Sequence, residues 1–158
     1  MYFQSTSVIS CRRSFPPDFL HDVLEGVVPQ DLFGIIKILV KKVWFTIQEY
    51  NQSLNKYRSG SNDKPQEVPK KTTKMKLVGK AVSHWVHIGY FGLIISGFVQ
   101  DSSDPVLALG MQLLELTERL TAEQFRLYEI DVIEEKVIEY LEARKLVYDE
   151  FPNLMGTA

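Results

Sequence analysis

Apolar residues recur at intervals of three and four along most of this chain, and a period of two is scarce. Leu32, Ile35, Ile36, Leu39, Val40, Val43 and Ile47 keep one face of a helix, and Val106, Leu109, Leu113, Leu116 and Leu120 keep another. A chain with that pattern buries one stripe of each helix against the others, so the expected fold is all-α, a bundle of five to six helices with no substantial sheet. At 158 residues, with 45% hydrophobic and 24% charged content, one core is the natural unit. The opening Tyr2-Phe3-Gln4-Ser5 reads as an expression-tag remnant over residues 1–5, leaving 6–158 as a single helical domain.

Boundaries follow from local chemistry. Pro16 and Pro17 open a short helix running to about Val27, and Pro29 sits in the first turn of the next. Residues 55–73, rich in Ser, Gly, Asn, Lys and Pro, read as a flexible loop. Beyond it a helix is expected to bury Leu77, Ala81, Val82, Trp85 and Ile88 and to bend or break near Gly89 and Gly92 before a buried Leu93-Ile94-Ile95 segment. Asp104-Pro105 caps the following helix. Thr121 and Gln124 have capping-box spacing, so a last helix of some thirty residues is expected to reach Pro152, with Phe125, Tyr128, Val132, Val137, Tyr140, Leu141, Tyr148 and Phe151 as its apolar series.

Charge divides the chain. Residues 1–80 hold 13 Lys and Arg against 7 Asp and Glu, a balance of +6, whereas residues 81–158 hold 5 against 13, a balance of −8. Opposite halves of this kind pair within one molecule or between two copies. The longest apolar stretch, Tyr90 to Val99, is about half the length of a membrane span, and no basic-then-apolar leader opens the chain. The expectation is an intracellular protein, nuclear or cytoplasmic, neither secreted nor embedded in a membrane. The single cysteine, Cys11, excludes an internal disulfide.

Chemistry concentrates near the start. In a helix Asp18, His21, Asp22 and Glu25 fall at i, i+3, i+4 and i+7, one face carrying three carboxylates and an imidazole. Asp18, Asp22 and Glu25 are thus candidate ligands for a hard divalent ion, against the commoner outcome of a solvated acidic face. His84 and His87, at i, i+3, have the spacing of a transition-metal pair but no cysteine nearby, and packing or surface histidines fit them better. Lys70, Lys71, Lys74, Lys76 and Lys80 form a basic run able to meet a phosphate backbone, though without interleaved aromatics. The acidic last helix, with Glu129, Glu134, Glu135, Glu139 and Glu142, is a solvated face or a docking surface for a basic partner. Nucleotide loops, nucleophile elbows and zinc spacings are lacking, and no cofactor is expected.

The run Pro17-Asp18-Phe19-Leu20-His21-Asp22-Val23-Leu24-Glu25-Gly26-Val27 resembles the Asp-x-x-His segment and following apolar helix of transposases of the CACTA (En/Spm) kind, especially transposon-derived proteins of fish type. Lys64-Pro65, Leu77-Val78-Gly79-Lys80-Ala81, Asp104-Pro105-Val106 and Tyr148-Asp149-Glu150-Phe151-Pro152 are similar to the same family's pattern in the same order. The resemblance implies a ribonuclease-H-like fold with a helical insertion, in which two aspartates and a glutamate bind two divalent ions for strand cleavage and joining. It matches Asp18 to the second aspartate and His21 to the histidine after it. The chain shows no counterpart of the strands bearing the first aspartate or of the region of the final glutamate, so the resemblance implies the helical insertion alone, with Asp18 and His21 as vestiges. The expected function is therefore that of a non-catalytic, transposase-derived helical protein acting through a protein partner or self-association. The alternatives are a nucleic-acid-binding module using Lys70 to Lys80 and a fragment of a metal-dependent transposase or nuclease.

Overall fold

The computed structural model describes residues 22–57, 65–71, 76–122 and 127–155, and residues 8–10 and 124–126 as backbone. Its architecture is the expected all-α bundle. A π-helical turn, Val23–Val27, runs directly into α1, Val28–Lys41. Then come α2, Ile47–Lys56; α3, Ala81–Ser96; α4, Pro105–Leu120; α5, Leu127–Glu150; and a one-turn α6, Pro152–Met155. A three-residue strand β1, Val8–Ser10, pairs antiparallel with β2, Gln124–Arg126, in the register Ile9 to Phe125. This three-residue ribbon agrees with the expectation of no substantial sheet.

α1 is the central rod. Val28, Leu32, Ile35, Ile36, Ile38 and Leu39 are fully buried, so it is covered on nearly every side. Its Pro29 lies in the first turn, where the missing N–H costs no hydrogen bond. Two glycines let neighbours approach closely. At Gly34 a Cβ would stand 2.9 Å from the Leu154 carbonyl oxygen and from Met155 Sδ, so α6 docks where α1 has no side chain. At Gly110 a Cβ would stand 2.6 Å from the Phe91 ring, and that contact fixes the approach of α3 to α4. Val106, Leu109, Leu113, Leu116 and Leu120 are all buried, as the spacing predicts. Asp104 Oδ1 accepts from the Val106 N–H at 2.8 Å, capping α4 as its Asp-Pro opening predicts.

Four expectations are corrected. The α1 stripe does not continue through Val43 to Ile47: the helix ends at Lys41, Val43 takes a positive φ of 64° in solvent, and α2 starts anew. A capping box is the cause, with Thr46 Oγ1 accepting from the Glu49 N–H at 3.1 Å and Glu49 Oε1 accepting from the Thr46 N–H at 3.0 Å. Secondly, α3 passes through Gly89 and Gly92 unbroken and turns Ser83, His84, His87, Ile88 and Phe91 inward. Val82, Trp85 and Leu93, expected inside, stand exposed.

The third correction concerns Thr121, which does not open the last helix but closes α4. Its hydroxyl donates to the Thr117 carbonyl at 2.7 Å and accepts the Trp85 indole N–H at 3.1 Å. The last helix begins six residues later, after β2, and its 24 residues span about 36 Å at ~1.5 Å each. Finally, the expected apolar series of that helix is only partly inward: Tyr140 is buried, Tyr128 and Leu141 point outward, and Ile133 and Val147, outside that series, are buried with Tyr140.

Candidate functional site

Of the residues singled out near the start, Asp18 and His21 lie outside the described residues, as does Lys74 of the basic run. Asp22 is exposed and Glu25 half-buried, and between them the chain takes up π winding, closed by a bond from the Val28 N–H to the Val23 carbonyl. The wider i to i+5 turn removes residues three apart from the common face that an α-helix would give them. Among the described residues, no three His, Cys, Asp or Glu side chains gather as a metal-holding group. Lys70, Lys71, Lys76 and Lys80 are exposed, and the Lys37 ammonium donates to the Lys70 carbonyl at 3.2 Å, tying the loop to α1.

His84 and His87 are core residues. The Tyr50 hydroxyl and His87 Nε2 share a buried hydrogen bond of 2.9 Å, with the two rings 5.9 Å apart. Burial, with His84 beside it, pushes His87 down to about 3, and burial lowers His84 as well. The same burial raises the Tyr50 phenol far above its ordinary value. Both groups are therefore neutral near pH 7, and this pair joins α2 to α3 as a structural contact. Alongside it, Asn51 exchanges two bonds with the backbone of Val68, at 2.9 and 2.8 Å, and so holds the loop after α2.

A second polar centre was not legible in the sequence. Asp31, buried in the first turn of α1, receives the Tyr140 hydroxyl and the Arg144 guanidinium. Arg144 Nε lies 3.0 and 2.9 Å from the two carboxylate oxygens. Tyr140 and Arg144 are four residues apart on α5, so one turn of that helix delivers both to one carboxylate. Burial and the facing Asp31 raise the Tyr140 phenol well above its ordinary value, so it stays protonated and donates. The opening Pro29-x-Asp31 in an otherwise apolar helix was the available signal, since a carboxylate suits the positive end of α1. This cluster sets the rotation of α5 about its own axis.

That rotation leaves an apolar row on the outside. Leu127, Ile130, Glu134, Ile138, Leu141 and Lys145 follow at steps of three or four and share one face of α5, and every one is exposed. Ile138 and Leu141, at its centre, are each 56% exposed. Beside them runs an apolar groove of about 170 Å³ between α5, α4 and the π turn, with Val23, Val27, Leu113, Val137 and Leu141 in its wall. Thr117 and Tyr140 also line it, but their hydroxyls are committed to Leu113 and Asp31. A second groove, about 360 Å³, lies between α3 and α4 under Trp85 and Leu93, with Glu118 at its rim.

Charge pairing between the halves takes both polarities. Lys42 meets Asp104 at 2.8 Å as the +6 and −8 division predicts, whereas Arg144 with Asp31 runs the other way. No described helix is long and apolar enough to cross a membrane. Comparison with known proteins gives no significant match, whether to a family model, a curated protein or a solved structure.

Proposed function

We propose that this chain is a non-catalytic helical protein that acts by self-association, and that the outer face of α5 is where two copies meet. One observation carries the reading: the Leu127, Ile130, Ile138 and Leu141 row is exposed along a helix whose orientation is fixed by Asp31, Tyr140 and Arg144. A fixed helix presenting apolar side chains to water gains by covering them, and an adjoining apolar groove extends the area available. The transposase-like run at residues 17–27 supports an origin as the helical insertion of such an enzyme. Light scattering on the purified chain tests the reading. Twice the monomer mass is expected as the concentration rises through the micromolar range, and a strict monomer throughout that range contradicts it.

A further inference from the structure

We infer that the second copy lies antiparallel on α5, across a two-fold axis between Glu139 and Tyr140. The inference rests on the self-association reading and specifies its partner and register. A two-fold contact places each side chain against a different position of the other copy, so the face must complement itself. With the axis midway between Glu139 and Tyr140, Ile138 faces the second copy's Leu141, and Glu134 faces the second copy's Lys145. Symmetry repeats both pairs, giving four apolar side chains at the centre and an ion pair on either side. Glu134 and Lys145 lie eleven residues apart, about 16 Å along the helix, so each sits about 8 Å from the axis.

A parallel arrangement fails on the same residues. It sets Glu134 against Glu134 and Lys145 against Lys145, and it also lays the two helix dipoles side by side in the same direction. The antiparallel arrangement opposes those dipoles and gives each charge its opposite. Asp131 and Glu142, further round the helix and exposed, remain at the solvated edge. Exposed ion pairs add little affinity, so Ile138 and Leu141 supply the attraction and the charges select the direction, while Ile130 and Leu127 lie towards the margin opposite positions 149 and 152.

Charge exchange in a Cys11→Ser background, followed by sedimentation, tests the register. Glu134→Lys or Lys145→Glu alone puts like charges at both flanks and is expected to weaken the dimer about fivefold or more. The double variant Glu134→Lys, Lys145→Glu restores the pairing within each dimer and should return to the parent affinity. In the same background Glu134→Cys and Lys145→Cys give an independent reading through a short thiol crosslinker. A link from 134 to 145 supports the antiparallel register. Links from 134 to 134, or a dimer indifferent to both single exchanges, overturn the register while self-association stands. A chain that is monomeric before any substitution removes both.

Discussion

Arg144, late in α5, lays its guanidinium Nε within 3.0 Å of both carboxylate oxygens of Asp31 in the first turn of α1, 113 positions earlier in the chain. With the Tyr140 hydroxyl on the same carboxylate, this contact determines which face of α5 is buried and which is exposed.

Removing one partner from Asp31 leaves a buried carboxylate short of its compensation. Arg144→Met is expected to destabilise the fold by about 3–5 kcal/mol, and Tyr140→Phe by about 1–3 kcal/mol, in urea denaturation. The two share one acceptor, so their effects should depart from additivity by about 0.5 kcal/mol or more in a double-mutant cycle. Independent, sub-kcal losses would show that the cluster does not hold α5.

Acid should unfold this protein through its buried imidazoles. An unfolded His87 takes up a proton near its ordinary 6.5, whereas the folded residue takes one only near 3. Between those values the unfolded chain binds more protons, so stability falls as pH is lowered through that window, by up to about 1.4 kcal/mol per pH unit. His84, lowered in the same direction, adds to the slope. Replacing both members of the pair, His87→Leu with Tyr50→Phe, should flatten the loss between pH 6.5 and 4. An unchanged slope in pH-dependent denaturation would place the acid sensitivity elsewhere.

Gly34→Ala should release α6, because the added methyl group meets the Leu154 carbonyl oxygen and Met155 at 2.9 Å. A loss of about 1–3 kcal/mol is expected, together with faster amide exchange at Leu154 and Met155, whose N–H groups donate to the Phe151 carbonyl. Wild-type stability would mean that the close approach of α6 contributes nothing.

Thr46→Ala should cost about 1 kcal/mol by opening the capping box at the start of α2, readable as a lower midpoint in thermal denaturation. Thr46→Asp keeps an acceptor for the Glu49 N–H and is expected to recover most of the loss.

The fold was legible where local chemistry and periodicity agree. α4 was readable because Asp104-Pro105 starts it and one leucine stripe runs its length. Periodicity overextends α1 because Val43 and Ile47 continue its period by chance, while Thr46 and Glu49, which terminate it, form a motif of their own. On α5 the apolar pattern places Leu141 and Tyr128 inside where the structure exposes them, because apolar residues occur on more than one side and periodicity alone cannot choose between Ile133, Tyr140, Val147 and Leu127, Ile138, Leu141. The choice is made by Asp31, which lies 109 residues from Tyr140, a separation that no short motif spans. The histidines read as packing or surface residues are core groups, and the lysines at 70, 71, 76 and 80 are exposed.

Sedimentation velocity across a micromolar concentration series, on the parent chain and on an Ile138→Asp, Leu141→Asp variant, tests the central claim most directly. The parent is expected to shift from monomer to dimer as concentration rises, and the variant to stay monomeric with unchanged helical circular dichroism. A parent chain that remains monomeric throughout, or a variant that dimerises as well as the parent, would contradict the assignment of α5 as the contact face.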